Sequence, residues 1–176
     1  MQLNPAGPMN NVLRNQIRAL RSGNRRSILE AIREIRRESN VSILPELFGL
    51  LLDQEDEEII RAASSLLNDL KIQDAVPVIC EAISNPEYGP ISTLLVSACW
   101  QNGLSYAKYA DTFVKVAIEG SYEAAIEAFS VLEETVGALE QQDRDRLSAE
   151  VSRGLQSSDE QKSILLRELI RMMQTY

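Results

Sequence analysis

The densest group of ionisable side chains in the sequence runs Asp53, Glu55, Asp56, Glu57, Glu58. Carboxylates this close together invite comparison with a calcium loop. The stretch, however, has neither the glycine that makes the sharp turn of such a loop nor a bidentate Glu at the distal offset. Carboxylates just ahead of a helix are favoured by the exposed N–H groups and dipole of its first turn, and that role accounts for the cluster. Glu133 and Glu134 form a second acidic pair, but adjacent positions of a helix point in different directions. The chain has no histidine. It therefore lacks an imidazole base, a Ser-His-Asp or Cys-His nucleophile and a His metal ligand. Cys80 and Cys99 are the only cysteines, too few for a structural zinc site or a disulfide framework. Each lies in an apolar run, where a buried free thiol is the expected state. The eight glycines are scattered and form no phosphate-cradling loop. No catalytic residue, cofactor or metal is expected, and the chain reads as a non-enzyme.

Binding chemistry is better represented. Residues 1–40 carry eight arginines against Glu30, Glu34 and Glu38, a balance of +5, whereas the remaining residues balance to −13. Arg14, Arg18, Arg21 and Arg25 fall at offsets of four, three and four, which makes one stripe if the helix is continuous past Gly23. Such a stripe suits an acidic partner or another polyanion. Nucleic acid is the less favoured partner, because no aromatic residue is interleaved for base stacking. The segment from Tyr88 to Ala107 is the opposite case. It has no charged side chain, in a chain that is 25% charged, and it holds the only tryptophan, Trp100.

The elements that must carry these residues are helices. Apolar residues recur at helical spacing in Leu44, Leu47, Phe48, Leu51 and again in Ile59, Ala62, Ala63, Leu66, Leu70. No run alternates apolar and polar residues as a strand would. The pattern also repeats. At a shift of 32, Pro45 falls on Pro77, Leu47 on Ile79, Leu51 on Ile83, Ile59 on Ile91 and Leu67 on Cys99. A further shift of 35 carries Ile83 to Ile118 and Ile91 to Ile126. Each unit reads as helix, polar turn, helix, with the proline tolerated in the first turn of its helix. The sequence predicts an all-α fold: an alpha-alpha superhelix of about five antiparallel helix pairs, forming a single domain over 11–176 behind a flexible segment 1–10. In that frame Ile28, Ile59, Ile91, Ile126 and Ile164 are expected to face inward from successive second helices.

The run Leu44-Pro45-Glu46-Leu47, Leu51-Leu52-Asp53, Ile60-Arg61-Ala62-Ala63 resembles the HEAT-repeat consensus, and the resemblance extends over residues 24–173. It implies a polar ladder between repeats, with Asp53 and Arg61 in the ladder positions. Those positions are Asn85 and Thr93 in the next unit and Gly120 and Ala128 in the one after. HEAT-like proteins mostly bind other macromolecules, although base-excising glycosylases and bilin lyases share the repeat. The glycosylases need a basic groove, against the acidic body here, and no residue diagnostic of the lyases is present. The resemblance therefore implies a scaffold or interaction module for another protein. Through the 32-residue shift, Arg61, Ser64 and Asn68 map onto Thr93, Val96 and Trp100. Those three are expected to form an outward stripe, joined by Tyr106 and Tyr109, as a partner-binding patch. The last helix is apolar over a wide arc, and Leu166, Ile170 and Met173 are the expected contact for a second copy. Nothing in the sequence is long and apolar enough to span a membrane, and a cytoplasmic location is expected.

Overall fold

The structure is a computed structural model and describes residues 11–38 and 40–176. The segment 1–10, expected to be flexible, lies outside the described residues. The fold is all-α: among the described residues there are ten α-helices joined by short turns and short 3-10 segments, and no strand. They are α1 (Asn11–Leu20), α2 (Arg25–Glu38), α3 (Leu44–Asp53), α4 (Glu57–Asn68), α5 (Ala75–Ser84), α6 (Ser92–Asn102), α7 (Ala110–Glu119), α8 (Tyr122–Thr135), α9 (Gln141–Gly154) and α10 (Glu160–Thr175). The chain divides into two compact units, one ending at Leu66 and the other from Leu67 to Tyr176.

Within the first unit, α1 packs on α2 and on α3, burying Leu20, Ile28, Ile32, Leu44, Leu47 and Phe48. Ion pairs tie the helix ends. Arg21 holds Glu46 through two nitrogens, Nε at 2.8 Å and Nη2 at 2.7 Å. Arg25 bonds Asp56 at 2.8 Å and also Glu58. Within the second unit the helices pack pairwise, α5 with α6, α7 with α8 and α9 with α10. Like helices also touch across the pairs, α5 with α7 and α7 with α9 on one side, α6 with α8 and α8 with α10 on the other. The core between these rows holds Ile79, Leu95, Val96, Phe113, Val114, Leu132, Leu147, Leu166 and Leu169.

Four of the five second helices open on a side-chain cap. Asn24 accepts from Ser27 N, Asp56 from Glu58 N and Ile59 N, Ser121 from Ala124 N and Asp159 from Lys162 N. Each satisfies a backbone N–H that has no partner inside the helix. Most of the acidic run 53–58 is thereby explained: Asp53 ends α3, whereas Glu55 to Glu58 lead into α4, with Asp56 as the cap. Desolvation works to raise the Asp56 carboxyl, but the N–H groups of Ile59 and Glu58 and the Arg25 guanidinium together hold it below the ordinary value. α6 is the exception. It follows a 3-10 segment, Pro86–Ile91, and has no side-chain cap.

The caps correct the expected register. Ile28, Ile59 and Ile91 are buried, but Ile126 is 41% and Ile164 59% exposed. Counted from the cap, Ile59 is matched by Ala124 in α8 and by Lys162 in α10, and these two are the residues turned inward. The Lys162 stem is covered and its ammonium reaches the carbonyl of Gly120. Two further expectations are revised. The last helix does not offer Leu166 and Met173 to a second copy, since both are buried within the chain, while Ile170 is half-buried. The polar ladder of the HEAT pattern is not formed by Asp53 and Arg61, both of which face solvent.

Other polar bonds connect positions 31 to 35 apart in the sequence. Besides Arg25 with Asp56 and Glu58, they include Asn68 with Gln101 (2.8 Å), Lys71 with the carbonyl of Asn102 (2.7 Å) and Arg146 with Asp111.

Candidate functional site: the groove beside Trp100

Trp100 lies in the last turn of α6, and that turn is held from several sides. Asn68 donates to Gln101, Lys71 to the carbonyl of Asn102, and Gln73 both donates to Ser105 O (2.7 Å) and accepts from Ser105 N (3.2 Å). The helix stops at Gly103, whose φ of +67° lies in the left-handed region that favours glycine. After it the chain turns back under the helix. Asn102 is buried, accepts from Leu104 N (3.0 Å) and donates to the Tyr106 hydroxyl (3.0 Å). The Tyr106 ring meets Phe113 edge to face, centroids 5.4 Å apart at 85°.

The two cysteines sit behind this corner. Both are buried, and the Cys99 thiol donates to Leu95 O at 3.2 Å. Burial pushes Cys99 up to about 12 and Cys80 higher still, so both remain thiols and neither has the thiolate character a nucleophile needs. Burial also raises Tyr106 well above the ordinary phenol range. No group of three or more potential metal ligands gathers among the described residues.

The expected partner patch is thus only partly assembled. Trp100 is exposed (43%), and Thr93 and Tyr109 are half-exposed. Val96 is wholly buried and Tyr106 is 2% exposed, so neither belongs to an outward stripe. The 32-residue shift does carry the buried Ile59, Ala63, Leu66 and Leu67 onto the buried Ile91, Leu95, Ala98 and Cys99; Val96 departs from it as a further buried position of α6, which packs against both α5 and α8.

The structure instead supplies a groove of about 240 Å³ beside Trp100, lined among others by Leu104, Tyr106, Val131, Glu134 and Ala138. The indole N–H donates to Glu127 Oε2 at 2.6 Å, which fixes the ring against α8. The sequence does not single out Glu127, and it offers Glu134 only as half of an acidic pair with Glu133. The available signal was charge: α8 holds Glu123, Glu127, Glu133 and Glu134 and no basic residue.

The arginine stripe is divided. Arg14 and Arg18 lie on α1, Arg21 follows its end and Arg25 begins α2 beyond Gly23, which adopts φ +68°. Arg21 and Arg25 are occupied by Glu46, Asp56 and Glu58 within the same unit. Arg14 and Arg18 are exposed.

No helix is long and apolar enough to cross a membrane among the described residues. No protein-family model matches the chain, and neither a curated protein nor a solved structure matches it.

Proposed function

We propose that the chain is a HEAT-like helical-repeat module that binds another protein without catalysing a reaction, and that the groove beside Trp100 is its contact. The observation that carries this is the placement of its only tryptophan. A large aromatic side chain normally contributes most when buried, yet here it stands at the mouth of a groove, oriented by Glu127. Exposed, pre-oriented aromatics beside a cavity are the usual anchors of protein interfaces. The repeat architecture is supported by the side-by-side packing of α6, α8 and α10 and by polar bonds recurring about one repeat apart.

The test uses wild type and Trp100→Ala as baits in extract of the native host, with thermal melting of both. Trp100→Ala is expected to melt within a few degrees of wild type and to lose more than about 1 kcal/mol of affinity for the retained protein. Unchanged capture by Trp100→Ala removes the groove as the contact.

A further inference from the structure

We propose that the groove beside Trp100 receives an arginine or lysine side chain from a basic segment of the partner protein; this rests on the interaction-module reading above. The ring, the walls and the surrounding charge all point to an organic cation. The face of an indole attracts cations through its quadrupole. Here the indole N–H is bonded to a carboxylate, which polarises the ring further toward negative. Glu134 lines the same groove, is exposed and has no ion-pair partner among the described residues. It stands seven positions after Glu127, two turns along the same face of α8. Positive charge is sparse around it: α6 has no charged residue, α8 has only acidic ones, the Lys71 ammonium is held by the Asn102 carbonyl, and Leu67–Tyr176 carry nine basic against seventeen acidic side chains.

The same field repels phosphate, so a nucleic-acid strand is disfavoured. A bare metal ion lacks ligands, as no group of three or more potential ligands gathers among the described residues. Leu104, Val131 and Ala138 give the groove an apolar floor against which the methylene stem of Arg or Lys can lie.

The probe is an amidated nonapeptide alternating arginine and serine, titrated at low salt and followed by the emission of Trp100, which is the only indole in the chain. The same peptide with citrulline in place of arginine keeps the shape and removes the charge. The expected result is a saturable change with the arginine peptide and at least tenfold weaker binding of the citrulline peptide. Glu127→Gln with Glu134→Gln should weaken the arginine peptide at least fivefold. Glu87→Gln with Glu160→Gln removes the same charge elsewhere in the second unit and should leave binding within twofold. Equal binding of the citrulline peptide, equal loss in the two double variants, no saturable change, or tighter binding of a single-stranded RNA oligonucleotide would each overturn the proposal. The two readings fail separately. If capture from extract depends on Trp100 but not on Glu127 and Glu134, the module stands and its cationic ligand does not. If capture ignores Trp100, both fall.

Discussion

Arg146 of α9 grips Asp111 of α7 with both terminal guanidinium nitrogens, joining positions 35 apart in the sequence. The guanidinium hydrogen bond, assisted by its charge, holds the Asp111 carboxyl below its ordinary value, against a smaller opposing effect of burial. A carboxyl lowered by folding stabilises the native state above its unfolded value, about 3.9, and that contribution disappears as pH falls through the folded value. Both side chains are at least half exposed, which limits the pair to under about 1 kcal/mol. Asp111→Asn should therefore melt slightly below wild type at neutral pH, and the difference should close under acid. Identical melting curves at every pH would show that the pair contributes nothing.

Gly154 ends α9 with no room for a side chain. A Cβ there would sit 2.7 Å from Ile118 Cγ2 and 2.8 Å from Cγ1, and a β-branched neighbour has few rotamers with which to retreat. Gly154→Ala is expected to cost about 1–3 kcal/mol by overpacking. Adding Ile118→Ala should recover part of that loss, read as the coupling in a double-mutant cycle by urea denaturation. Purely additive variants would place the strain elsewhere.

Two substitutions of the same kind test the register. Val96→Asp puts an unpaired charge where exposure is zero and is expected to abolish cooperative unfolding. Ile126→Asp places the same charge at a solvent-facing position of α8 and should cost less than about 1 kcal/mol. Circular dichroism during heating separates them, and a severe loss from Ile126→Asp would restore the inward assignment that the structure revises.

Arg14 and Arg18 differ from Arg21 and Arg25 in what they already hold. Arg14→Glu with Arg18→Glu should leave stability within about 0.5 kcal/mol, as surface changes do. Arg25→Glu should lower it measurably by turning two attractions to Asp56 and Glu58 into repulsions. If α1 binds a polyanion, gel shift with a single-stranded oligonucleotide will show a complex that weakens steeply with salt and is lost in the Arg14/Arg18 variant. No shift at low salt would leave the arginines as a solvated face.

Helix content and pairing were legible because they depend on short-range periodicity, which survives in Leu44, Leu47, Phe48 and Leu51 whatever surrounds them. The inward positions of α2 and α4, and of Ile91 just before α6, were legible for the same reason, with Ile28, Ile59 and Ile91 buried as expected. The later helices were misread because a shift of 35 aligned Ile91 with Ile126, whereas the buried Ile91, Leu95, Ala98 and Cys99 are matched at a shift of 33 by the buried Ala124, Ala128, Val131 and Leu132. Each residue of offset turns a helical side chain by about 100°, so Ile126 and Ile164, two residues beyond the buried Ala124 and Lys162, point to the opposite face. The capping residues Asp56, Ser121 and Asp159 hold the phase directly, and counting three from each places Ile59, Ala124 and Lys162 inside. Trp100 was recognised, but not its bond to Glu127 or the place of Glu134 beside it. Glu127 and Glu134 come from a helix some thirty residues later, and only packing brings α6 and α8 together.

The spacing of the polar bonds bears on how the protein comes into being. The bond from Arg21 to Glu46 spans 25 positions and that from Lys162 to Gly120 spans 42, so each closes a modest loop whose entropic cost grows only with the logarithm of its length. Contacts between near neighbours in sequence make for rapid folding. A growing chain leaving the ribosome can complete each of these bonds once the next helix pair has emerged, without waiting for its far end.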